Sequence, residues 1–171
     1  MIRVAKECGI AVASHDDDSI EKLNFVEELG IKISEFPLTL EIAREANKRG
    51  MYTIAGAPNL MMGKSHSGNL SAREGIMDGS ISIISSDYYP CALLVSIFDM
   101  AEKGGIDLNK MFNMATINPA RATGIDDEVG SIEEGKYADL LVINKNGKYP
   151  ALKMALIDGH KVFETSYRHD N

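Results

Sequence analysis

Four short, nearly continuous apolar runs, at residues 9–13, 31–36, 52–56 and 80–85, alternate with stretches whose apolar residues recur at helical spacing. Runs of this kind suit strands buried on both faces, and strands that alternate with helices pair in parallel. Between the first two runs, Ile20, Leu23, Val26 and Leu29 mark a helix, with Asp18 and Glu21 placed to cap it and Gly30 to end it. The pattern predicts further helices over 39–49 and 92–103, and a short one opening at the capping box Ser71-Ala72-Arg73-Glu74. Residues 57–70, dotted with glycine, read as a long loop. Two more helices are expected over 108–116 and 119–123, the second capped by Asn118.

Beyond residue 124 the period changes. Candidate strands at 130–132, 139–143, 153–157 and 161–164 are separated by Glu134-Gly135, Asn146-Gly147 and Asp158-Gly159, which are turn and hairpin signals. The expected architecture is therefore α/β. Four βα units occupy residues 1–124, a small antiparallel β unit 125–165 and a polar tail 166–171.

Charge and composition remove several function classes. Eighteen basic against 25 acidic residues give a net charge of −7, which argues against nucleic acid as a partner. No apolar run is long enough to span a bilayer, and the first ten residues lack a secretory pattern, so no membrane partner is expected. Cys8 and Cys91 stand without C-x-x-C partners, as expected of a reduced, cytoplasmic protein.

Ligands of α/β sheets gather at the carboxyl ends of the strands. Here those ends carry Ser14-His15-Asp16-Asp17-Asp18, Glu35-Phe36-Pro37, Gly56-Ala57-Pro58-Asn59 and Ser85-Ser86-Asp87-Tyr88-Tyr89. With neighbouring strands, His15, His66 and Asp87 face one rim, a donor set suited to Zn²⁺ first and to Mn²⁺ or Fe²⁺ as alternatives. An Asp there can also accept a proton from water, as a general base. Plainer roles stand beside these: the Asp run and Asp87 as helix caps, the histidines as hydrogen-bonded rim residues. The loop Gly63-Lys64-Ser65-His66-Ser67-Gly68-Asn69 offers backbone amides, lysine, serines and asparagine to an anion, or is simply a polar loop; it is not a P-loop.

Taken together, the chain resembles a known family. The motifs Ala13-Ser14-His15-Asp16-Asp17-Asp18, Ser34-Glu35-Phe36-Pro37, Gly56-Ala57-Pro58-Asn59, Ser65-His66-Ser67-Gly68-Asn69 and Ser85-Ser86-Asp87-Tyr88 follow in that order. The closing Asn118-Pro119-Ala120-Arg121 and Gly135-Lys136-Tyr137-Ala138-Asp139-Leu140 extend the likeness. It is to the diphosphatases of the carbon–phosphorus lyase pathway of phosphonate metabolism, within the amidohydrolase superfamily. The resemblance implies the C-terminal half of a (β/α)₈ barrel, followed by the small β unit. It also implies a divalent metal, with His15, His66 and Asp87 as ligands and Asp87 as the catalytic base. The implied substrate is a phosphorylated ribose phosphonate, its phosphates held by Asn59, Lys64, Ser65, Ser67 and Asn69, and the implied reaction releases diphosphate.

Three features depart from the family. The second strand run ends in Glu35-Phe36-Pro37 where many amidohydrolases have histidine, no two histidines are separated by one residue, and four βα units are half a barrel. A fragment is therefore expected, inactive alone, with a second copy or a chain supplying the N-terminal half as partner. The rival expectation is a non-catalytic partner subunit; another is a cyclic amidase or deaminase of the same superfamily.

Overall fold

The computed structural model describes residues 1–63, 69–145 and 149–166. Four parallel strands, β1 (Ala13–His15), β2 (Ile33–Glu35), β3 (Tyr52–Gly56) and β4 (Ile83–Ser85), pair in the order β1-β2-β3-β4. Helices α1 (Ile2–Glu7), α2 (Ile20–Glu28), α3 (Leu40–Lys48), α4 (Ala57–Met62), α5 (Ala72–Asp78) and α6 (Pro90–Gly104) precede and connect them. Helices α7 (Leu108–Asn113) and α8 (Ile117–Thr123) lead into β5 (Leu140–Asn144), β6 (Ala151–Ile157) and β7 (His160–Glu164), an antiparallel sheet in the order β5-β6-β7. This is the expected α/β arrangement. No helix among the described residues is long and apolar enough to cross a membrane.

Two packed clusters hold the parallel sheet against its helices. One joins Leu23, Val26, Ile42 and Ala46 of α2 and α3 to Ile31 and Met51, which lead into β2 and β3. The other joins Ala55, Ile76, Ile81, Ile84, Ile97, Met100 and Met111, around β3 and β4. Helix α3 serves both, turning Ala43 to the second and Ile42 and Ala46 to the first, because consecutive helical residues point to different faces.

Several local expectations are corrected. The first strand lies at 13–15, not 9–13: Gly9 turns at φ 68° and the exposed Ile10 only links α1 to β1. Part of the expected loop 57–70 is helix α4, started by Pro58 within its first turn and ended by Gly63 at φ 72°. Ser19, not Asp18, caps α2 by accepting from the Lys22 amide. Thr116, not Asn118, precedes α8, and Asn118 instead donates to the Ser82 carbonyl. Ser71 sits at the N-cap of α5 without a side-chain hydrogen bond. Residues 130–132 form no strand. The Asp158-Gly159 hairpin forms as expected: both residues have positive φ, 49° and 74°, as a two-residue primed turn requires.

Candidate functional site

Register places the rim residues. His15, Glu35 and Ile54 are partners across β1, β2 and β3, while Gly56 pairs with Ser85 across β3 and β4. Side chains alternate along strands, so His15, Glu35, Ile54, Gly56 and Ser85 share one face of the sheet. Ser14, Ser34 and Thr53 share the other.

At three of the four strand ends a residue other than glycine takes the left-handed conformation: Asp16 (φ 54°), Phe36 (φ 56°) and Asp87 (φ 51°). Each costs on the order of 1–3 kcal/mol and persists only where its surroundings over-determine it. The surroundings are visible for two of them. The Asp16 amide donates to the Glu35 carbonyl at 2.9 Å and the Phe36 amide to the Ile54 carbonyl at 3.0 Å. The parallel ladder thus runs one residue past each strand, and the chain then bends sharply.

That bend aims the side chains. The Phe36 ring stands edge-on to the His15 imidazole, centroids 5.2 Å apart at 89°. His15 Nδ1 lies 3.0 Å from Asp16 Oδ2, which leaves Nε2 as its outward nitrogen. Across the rim, a cavity of about 230 Å³ is lined by Asp16, Phe36, Gly56, Asn59, Asn69 and Asp87, with apolar side chains at its base. No lysine or arginine stands among its described lining residues. The Asp87 carboxylate lies against Gly56: a Cβ at that position would come within 2.9 Å of Oδ2.

Four of the expected residues can be placed, His15, Asn59, Asn69 and Asp87. His15, Asp87, Asn59 and Asn69 all lie at this rim. Lys64, Ser65, His66 and Ser67 fall outside the described residues. Asn59 is engaged by backbone, donating to the Leu70 carbonyl at 3.3 Å and accepting from the Ala72 amide at 3.0 Å, so it ties Leu70 and the start of α5 to α4. Asp87 does not cap α6; Tyr89 occupies that position. Among the described residues no three His, Cys, Asp or Glu side chains come close enough together to hold a metal ion.

Two participants carry no sequence expectation. Asp17 is wholly buried and accepts from Ser14 Oγ at 2.6 Å and Ser34 Oγ at 2.5 Å. Lys22 reaches over the same turn, donating to the His15 carbonyl at 2.7 Å and the Asp16 carbonyl at 2.9 Å, with Asp17 Oδ1 at 3.5 Å. In a run of three aspartates nothing in the sequence marks the middle one as the buried one; the Ser14-x-x-Asp17 spacing is the only local signal.

Comparison with known proteins fits this geometry. Residues 1–164 match the Amidohydrolase family. The chain is 39% identical over 156 residues to the alpha-D-ribose 1-methylphosphonate 5-triphosphate diphosphatase of Escherichia coli (strain K12), a match covering 90% of this chain and 41% of that protein. It is 26% identical over 158 residues to the dihydroorotase of Aquifex aeolicus (strain VF5), covering 77% of this chain and 35% of that one. Among solved structures, an amidohydrolase from Thermotoga maritima MSB8 superposes with a TM-score of 0.71 at 21% identity, over 91% of this chain and 44% of that chain. An enamidase of the amidohydrolase superfamily superposes with a TM-score of 0.71 at 17% identity, over 97% and 51%. The chain thus spans about half the length of these relatives or less, and its four parallel strands with the small antiparallel sheet have the fold of the corresponding half of their (β/α)₈ barrels. On this match over nearly all of its length, the chain belongs to the amidohydrolase family.

Proposed function

We infer that this chain carries one half of the active site of a metal-dependent hydrolase that releases diphosphate from a triphosphorylated ribose phosphonate. The observation that carries the reading is the cavity at the strand ends. It is lined by the Asp16 and Asp87 carboxylates, the first of them 3.0 Å from His15 Nδ1, with no basic side chain among its described lining. Such a site repels a polyphosphate unless a divalent cation intervenes, and imidazole with carboxylate is the donor chemistry for Zn²⁺, Mn²⁺ or Fe²⁺. The 39% identity to the Escherichia coli diphosphatase supports the substrate class.

His15 and Asp87 would hold the metal, together with His66, and the described residues leave the donor set incomplete. A bound cation supplies Lewis acidity and neutralises charge on the phosphoryl oxygens. The protein's own part is positional. Asp87 accepts the proton of the attacking water as the water oxygen bonds to a phosphorus of the triphosphate. The bond from that phosphorus to the bridging oxygen breaks, diphosphate leaves, and the ribose keeps its phosphate and phosphonate. Lys64, Ser65, Ser67 and Asn69 hold phosphate oxygens, while Asn59 holds Leu70 and Ala72.

A partner fits the same reading. β1 and β4 each have one strand neighbour among the described residues. An apolar groove of about 620 Å³ lies between α7 and β5, where Ile132 is 88% and Leu141 61% exposed. A second copy, or a chain supplying the first half of the barrel, would cover such surfaces. The test is metal content and diphosphate release by the purified chain, alone and mixed with a chain encoding the first four βα units. Negligible release alone and chelator-sensitive release in the mixture, lost in Asp87→Asn, is the expected result. Release by the chain alone, untouched by Asp87→Asn, would overturn it.

A further inference from the structure

We propose that Asp17 and Lys22 form a brace that fixes the His15-Asp16 turn, and that they are positioning residues for the rim; this rests on the reading of His15 as a metal ligand. Asp17 is not among the residues that line the cavity, yet it is wholly buried. A buried carboxylate contributes weakly to stability, and an apolar residue of similar volume commonly does as well or better. The contacts of Asp17 are all with the rim's own supports. Its Oδ2 accepts from Ser14, the residue before His15, and from Ser34, the residue before Glu35. Its carbonyl accepts from the Leu38 amide at 2.9 Å, which ties the turn after β1 to the segment after β2.

Its other oxygen, Oδ1, is buried without a hydrogen bond and faces the Lys22 ammonium at 3.5 Å. That ammonium donates to the two carbonyls that flank the left-handed bend, those of His15 and Asp16. One charge pair therefore grips the turn from both sides. Asp17 holds it to β2 from within the packed layer, and Lys22, one turn into α2, holds its carbonyls from outside. The strain at Asp16 is what needs holding: without the brace, a residue at φ 54° relaxes toward negative φ and carries the Asp16 carboxylate away from the cavity and from the His15 imidazole.

Amide hydrogen exchange in the metal-free chain and Co²⁺ affinity test the brace together, in Lys22→Met, Lys22→Arg, Ser34→Ala and His15→Ala. Lys22 lies near the surface and Ser34→Ala removes one of two donors, so both variants keep the fold even where Asp17→Asn loses it. In Lys22→Met and Ser34→Ala, exchange at the Asp16 and Leu38 amides speeds about tenfold while the amides of α6 keep their rates. Co²⁺ affinity falls about tenfold to a hundredfold, the range for residues that orient a metal ligand, and Lys22→Arg restores most of it. Unchanged exchange at Asp16 and Leu38, or exchange accelerated equally throughout α6, would overturn the brace. Co²⁺ affinity unchanged in His15→Ala would instead remove the metal reading of His15, and the exchange rates would still decide the brace.

Discussion

Gly56→Ala separates the site from the fold. The Gly56 backbone, at φ −83° and ψ 136°, is open to any L-residue, so the substitution strains nothing locally. The new Cβ would lie 2.9 Å from Asp87 Oδ2 and 3.3 Å from Asp87 Cβ, whereas ordinary contact begins at 3.4 Å. The carboxylate oxygen must therefore move by about 0.5 Å, the difference between 3.4 and 2.9 Å. Asp87 is exposed and its side chain can rotate, at roughly 0.5–1.5 kcal/mol for an off-rotamer position. Replacing glycine by alanine returns about 0.4–1 kcal/mol by narrowing the unfolded ensemble. The two nearly cancel, so Tm should move by no more than about 4 °C. A displacement of about 0.5 Å is nonetheless at the limit of what a metal or catalytic constellation tolerates. Mn²⁺ affinity, followed by the loss of the free-ion paramagnetic resonance signal, should fall about as far as in Asp87→Asn. A Tm loss of ten degrees or so would mean that the backbone, not the carboxylate, absorbs the contact. Affinity equal to that of the unsubstituted chain would mean that Asp87 does not reach the ion.

Gly75→Ala, in α5, gains about 1 kcal/mol of helix propensity but sets a Cβ 2.5 Å from Cγ1 of the buried Ile81. Overpacking of about 1–3 kcal/mol outweighs the gain, so thermal melts should show a Tm lower by a few degrees, and a raised Tm would refute the rigidity of that contact. Asp78 is held below the usual carboxylate range by its hydrogen bonds from Arg44, which join α3 to α5. Because its folded value is depressed, its contribution is complete above about pH 4 and fades as pH falls through the lower folded value. Urea titrations of Asp78→Asn should therefore differ from the parent at pH 6 and converge with it near pH 2. Light scattering at low micromolar concentration should find a particle of at least twice 18.7 kDa, because β1 and β4 each lack a second strand neighbour among the described residues; a stable folded species of 18.7 kDa would refute it.

The sheet was legible where burial makes the sequence repetitive and obscure where polar residues pair. The third strand lies at 52–56 as the apolar run indicates, since β3 has a strand on each side and a cluster beneath it. The first strand is misread because residues 9–13 are apolar, whereas the paired residues are Ala13, Ser14 and His15. Pairing there follows the neighbouring strand and the Asp17 hydroxyl contacts, which no local pattern encodes. Helix α4 announces itself by Pro58 after Gly56-Ala57, a signal masked by the glycines that follow. For the site, the residue types at strand ends point to His15, Asn59 and Asp87, and the structure lines one cavity with Asn59, Asn69 and Asp87. The residue types do not reveal that Asn59 is engaged by backbone, or that Phe36 stands against His15.

The two packed clusters beneath the sheet have a mechanical consequence. His15 and Asp16 lie at the end of β1, beside β2, which Ile31 of one cluster leads into, whereas Gly56 and Asp87 follow Ala55 and Ile84 of the other. The distance between the two pairs of residues thus depends on the β2–β3 seam and on α3, the helix common to both clusters. A shift across that seam would change this distance. An ion bridging the gap would act as a clamp, coupling the unfolding of the two clusters into one event.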